Sequence, residues 1–167
     1  MASAGLVAMA LALASLGRGG AGDGLTAAEP RFVDLSEVFE VEKVVGHRIY
    51  WAGPRPGQRL ELRQEPEGGV LFRYLPKSVA AGRRPTAFLT VGTYPVSGAA
   101  MALMRTARSA GARVIRVADG GLALPNPGSA GSVYLAYPRS GLQIEVYGPA
   151  PGMALKLIRS GMIEPVD

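Results

Sequence analysis

Residues 59–75 read RLELRQEPEGGVLFRYL. The first five, Arg59 to Arg63, alternate charged and apolar side chains, the period of a strand with one wet face. Glu65-Pro66-Glu67-Gly68-Gly69 is turn chemistry. Val70 to Leu75 then returns as a second, more apolar strand. A hairpin of this kind carries an apolar face that other elements must cover.

Working outward, His47 to Ala52 (HRIYWA) reads as a strand, and alternation puts Tyr50 and Trp51 on opposite faces, one in the core and one exposed. Residues 76–85 form a polar loop carrying Arg83 and Arg84, and Thr86 to Tyr94 reads as a strand apolar on both faces. Upstream, Ser36 is placed to cap a helix that runs to Val45 and stops at Gly46. Downstream, residues 97–109 read as a helix with Ala100, Leu103, Met104 and Ala107 on one face. Short strands follow at 113–118 and 122–124, then a hairpin of 132–137 and 142–147, then a helix over 152–160. The expected class is α+β, with antiparallel sheet and about three amphipathic helices. The halves echo each other: Thr93-Tyr94-Pro95 precedes a helix ending Arg108-Ser109-Ala110-Gly111, and Val146-Tyr147-Gly148-Pro149 precedes one ending Arg159-Ser160-Gly161. Two duplicated units of a helix and four strands would carry their helices on one face of the sheet.

The 167 residues suffice for one domain and a leader. Apolar residues at 48% and charged residues at 19% permit a core and argue against disorder. The chain has no cysteine and one histidine, which excludes disulfides, thiolate metal centres and cysteine nucleophiles. Residues 4–17 are uncharged and mostly apolar, too few to span a bilayer and matched to the apolar core of a signal peptide. Residues 1–16 are thus read as a signal peptide or short membrane anchor, 17–30 as a flexible linker and 31–167 as a single α+β domain. A G-x-G-x-x-G match at 17–22 lies in the linker, without the strand and helix that a dinucleotide site needs.

The net charge of +5 is unevenly spread: residues 23–46 carry −4 and residues 47–116 carry +9. A basic middle attracts phosphate-rich polymers or anionic headgroups. The candidate contacts are Arg55, Arg59, Arg63, Arg73, Arg83 and Arg84, with Trp51 as a stacking residue. The expected partner of this exported domain is an anionic envelope polymer, a lipid or a protein; export disfavours nucleic acid. No cofactor, metal or catalytic residue is assigned. His47 follows a helix C-terminus, where an imidazole serves as a structural cap. The alternatives are an envelope hydrolase using His47 as base, or a sensor acting by protein contact through an exposed apolar patch. No nucleophile elbow, zinc motif or P-loop accompanies His47.

Val45-Gly46-His47, Tyr50-Trp51-Ala52-Gly53, Leu89 to Tyr94, Ser132 to Tyr137 and Glu145-Val146-Tyr147 resemble a group of uncharacterised exported proteins of high-GC bacteria. The closing strand–strand–helix is similar to the ends of half-barrel extracytoplasmic domains of the sigma-factor-regulator and lipoprotein-carrier type. The resemblance implies a location and a compact build, and transfers no functional residue.

Overall fold

The computed structural model describes residues 29–83 and 88–166. The proposed leader, nearly all of the linker, Arg84 and the start of the 86–94 strand lie outside the described residues.

Strand β1 (Arg31–Val33) leads into helix α1 (Leu35–Val45). Asp34, not Ser36, is the N-cap. Its carboxylate accepts from the Glu37 N–H at 3.0 Å, and the Glu37 carboxylate accepts from the Asp34 N–H at 3.0 Å. This reciprocal box satisfies two donors that a helix start leaves open. The Ser36 hydroxyl instead donates to Asp34 at 2.6 Å. Gly46 ends the helix in the left-handed conformation, as its position suggests.

Strand β2 is only Tyr50–Trp51, because residues 47–49 are spent crossing from α1. Strands β3 (Gln58–Gln64) and β4 (Val70–Pro76) form the expected hairpin, and β5 (Thr90–Pro95) joins β4. Helix α2 (Ala99–Ser109) precedes β6 (Ile115–Arg116), β7 (Leu122–Pro125), β8 (Ser132–Ala136) and β9 (Leu142–Tyr147). Helix α3 (Met153–Arg159) and strand β10 (Glu164–Pro165) close the chain. The result is an α+β fold: one antiparallel sheet of order β1-β3-β4-β5-β9-β8-β7-β6, and a separate β2–β10 ribbon.

The register divides the side chains between two faces. Leu62, Phe72, Val91, Val146, Leu135 and Ala123 share one face, with α1, α3 and the β2–β10 ribbon packed on it. The ribbon is tied down where the Tyr50 N–H donates to Thr93 Oγ1 at 2.9 Å and the Ala52 N–H to Tyr74 Oη at 2.7 Å. Tyr50 and Trp51 are therefore both buried, each 6% exposed, rather than split between core and solvent. Both side chains join the core cluster that the sheet forms with α1 and α3, so alternation does not separate them.

The opposite face is covered in two places. Helix α2 packs through Ala99, Leu103 and Ala107 on Leu122, Leu124, Tyr134 and Ala136. The loop after β4 folds over β3, with the Gly82 N–H donating to the Glu61 carboxylate at 2.7 Å. Helices α2 and α3 thus lie on opposite faces of β7–β9, contrary to the expectation that duplicated units put them on one face. The echo survives in the helix ends. Gly98 and Gly152 both enter with positive φ, at 67° and 72°, and Gly111 and Gly161 both leave so, at 62° and 71°.

Candidate anion-binding face

The sequence-nominated arginines do not gather into one cleft. Arg59, Arg63 and Arg73 share the face of β3 and β4 that the following loop crosses. Each is already engaged by the protein. The Arg59 guanidinium lies 3.6 Å from the centre of the Phe32 ring and donates to the carbonyls of Lys77 and Val79 at 3.2 and 3.0 Å. Arg63 pairs with Glu65 at 2.9 Å. Arg73 donates through Nη2 and Nε to one oxygen of Glu61, at 2.5 and 2.6 Å. The other oxygen of Glu61 takes the Gly82 N–H, so this carboxylate, 1% exposed, is fully bonded inside the fold.

Arg55 stands elsewhere, with its guanidinium 6.0 Å from the centre of the Tyr74 ring, and Tyr74 belongs to the core face. Arg83 is exposed on the loop after β4. Trp51 offers no stacking surface, because its ring is in the core. The arginines of the hairpin are mostly structural: their guanidiniums neutralise or cover the protein's own groups, and charge spent on internal partners is weakly available to a ligand.

Among the described residues Arg48, Lys77, Arg83, Arg139, Lys156 and Arg159 are exposed and stand in no ion pair, and four more such cations fall at the end of a stretch without acids. Residues 68–118 contain no Asp or Glu. Within them, Arg105 and Arg108 on α2, Arg113 in the link to β6, and Arg116 on β6 are all exposed. Among the described residues the ion pairs involve Arg31, Lys43, Arg63 and Arg73, and none of these four. Arg116 pairs across from Leu122, so it projects on the side of the sheet that α2 covers.

On α2 itself, Met101, Met104, Arg105 and Arg108 follow the i, i+3, i+4, i+7 spacing of one helix stripe. That stripe faces solvent: Met101 is 59% and Met104 43% exposed. The expectation that Met104 belongs to the buried face is thereby corrected. Small side chains, Ala99, Ala102 and Ala107, line the buried side beside Leu103 and let the helix lie close to the sheet. Arg105 and Arg108 keep the other arc wet, and the two methionines are carried out with them.

Between α2 and the loop after β4, the same sheet face presents Thr90, Gly92 and Tyr94 of β5 and Glu145 of β9. A Cβ on Gly92 would come 2.6 Å from Tyr94 Oη, so the Tyr94 ring lies across Gly92. Burial raises the Glu145 carboxyl above its ordinary range, and its hydrogen bond to Ser132 acts in the opposite sense.

A cavity of about 600 Å³ lies between the ribbon and the β8–β9 turn, lined by His47, Arg48, Tyr50, Asp119, Tyr137, Ser140, Leu142 and Pro165. It brings a histidine, a serine and an aspartate near one another, yet the hydrogen bonds point elsewhere. His47 Nδ1 lies 2.7 Å from the carbonyl oxygen of Arg48, and Nε2 lies 2.8 Å from that of Gly68. A carbonyl only accepts, so neither ring nitrogen is directed at a nucleophile. Ser140 Oγ donates to the Tyr137 carbonyl at 2.9 Å and accepts from the Leu142 N–H at 3.2 Å, the bonding of a turn. The Tyr50 and Tyr137 rings stack across the site, 5.8 Å apart.

Among the described residues no cluster of His, Asp or Glu could hold a metal ion, and no helix is long and apolar enough to cross a membrane. Comparison with family models, with curated proteins and with solved structures finds no match.

Proposed function

We propose that this chain is an exported, non-catalytic domain of the cell envelope that captures polyanions electrostatically. The observation that carries this reading is the acid-free run of residues 68–118, which ends in four exposed arginines without internal ion partners on and beside α2. A fixed folded surface presenting uncompensated guanidiniums concentrates phosphate or carboxylate polymers at modest cost in ordering. Export rests on the apolar segment at 4–17. The His47 hydrolase alternative is not supported, because both ring nitrogens face backbone carbonyls and Ser140 donates to another.

The test is a titration of the full chain with long-chain polyphosphate at increasing salt. The expected result is binding that weakens steeply as salt rises, the signature of contacts made at a solvent-exposed surface. Binding indifferent to salt would reject the arginine surface, as would equal binding to neutral dextran.

A further inference from the structure

From the composition of the α2 stripe we infer that its partner is an anionic lipid surface, with Met101 and Met104 inserting between headgroups that Arg105 and Arg108 engage. This rests on the polyanion reading above and names its ligand. A soluble polymer has use for the arginines only. It gives no reason for two large apolar side chains, 59% and 43% exposed, within the same helical stripe. An interfacial helix needs both: apolar side chains that reach the acyl boundary, and cations that remain at headgroup level. The stripe holds both, with Met101 and Met104 followed by Arg105 and Arg108 over two turns.

The remaining geometry agrees. Helix α2 lies on the outside of the sheet, and its buried side is already satisfied by Leu122, Leu124, Tyr134 and Ala136, so no repacking is needed to present the stripe. Arg116, on the same side of the sheet, and Arg113, in the link to β6, add positive charge beside it, and no acid interrupts the run before Asp119. A negative bilayer surface is therefore complementary to the whole patch. Each arginine near such a surface is worth about a fivefold gain in affinity. The two methionine side chains add about tenfold when they insert, and insertion is expected to be insensitive to salt.

The experiment is flotation of the full chain with vesicles of phosphatidylcholine alone and of phosphatidylcholine with phosphatidylglycerol, alongside polyphosphate binding. The variants are Met101→Ser/Met104→Ser and Arg105→Gln/Arg108→Gln, with circular dichroism checking that each is folded. The wild type is expected to float with the mixed vesicles and not with phosphatidylcholine alone. The methionine pair is expected to lose about tenfold of the vesicle affinity and none of the polyphosphate affinity. The arginine pair is expected to lose both. Polyphosphate binding without vesicle binding, or vesicle binding unchanged in the methionine pair, would overturn the lipid assignment and leave the polyanion reading standing. Failure to bind either would overturn both. Self-association abolished by the methionine changes, with no vesicle binding, would reassign the stripe to a second copy of the chain.

Discussion

Glu61 is the residue whose surroundings are most demanding. Its carboxylate is surrounded by Arg73 and the Gly82 N–H, and water does not reach it. Removing one member of such a pair strands the other charge in a poorly solvated place. Glu61→Gln is expected to cost about 3 kcal/mol in urea unfolding, and the joint change Glu61→Leu/Arg73→Met to recover most of it. Equal losses in the single and the double variant would contradict the assignment. Glu145 has the opposite character. Burial raises its folded pKa, so the native state holds its proton more tightly than the unfolded chain does. The contribution is full below the ordinary carboxyl value of 4.5 and is lost as pH rises through the raised value. Glu145→Gln is thus expected to stabilise the protein at neutral pH, with the gain vanishing in acid. Unfolding curves across pH would show the two proteins converging; a constant offset would refute the linkage.

At the scale of elements, legibility followed local periodicity. The β3–β4 hairpin could be read because alternation and the Glu65–Gly69 turn are both local signals. Strands β1 and β10 could not, since two or three residues are too few to show a period and are recruited by neighbours distant in sequence. Strand β2 is shorter than the HRIYWA run suggests because residues 47–49 cross from α1, and both of its residues are buried, a pattern that alternation does not describe. The apolar spacing of α2 places Met104 on the buried face, whereas Arg105 and Arg108 decide which arc must stay wet and Met104 lies on it. The site suffered in the same way. Arg59, Arg63 and Arg73 look like free charge until strand pairing and the loop after β4 bring them their partners, which is information no single segment carries. The long stretch without acids was the available signal, and it pointed downstream to α2. Helix α3 is placed by a different device. A Cβ at Gly148 would come 2.8 Å from Met153 Cβ and 2.9 Å from the Ala154 nitrogen, so this glycine lets the helix start lie against β9. Gly148→Ala is expected to cost about 2 kcal/mol in thermal or urea unfolding, by overpacking against backbone that has nowhere to go. A neutral substitution would show that the helix start can move.

Across the whole molecule, charge and packing are segregated. One face of the sheet is given to the core under α1, α3 and the ribbon. The other is divided between a self-neutralised hairpin and an uncompensated helix. The acidic charges near the start of α1 are likewise used locally, with Glu37 bonded to the Asp34 N–H and to Arg31, contacts that hold its carboxyl below the usual range. The account therefore stands on where the free guanidiniums are, not on how many arginines there are. The most direct measurement is polyphosphate affinity as a function of salt for Arg105→Gln/Arg108→Gln/Arg116→Gln beside Arg55→Gln/Arg63→Gln. The first variant is expected to lose about tenfold, at the fraction of a kcal/mol that each exposed charge contributes, and to show a shallower salt dependence, while the second keeps wild-type behaviour. A loss confined to the second variant would contradict the account and return the binding surface to the hairpin.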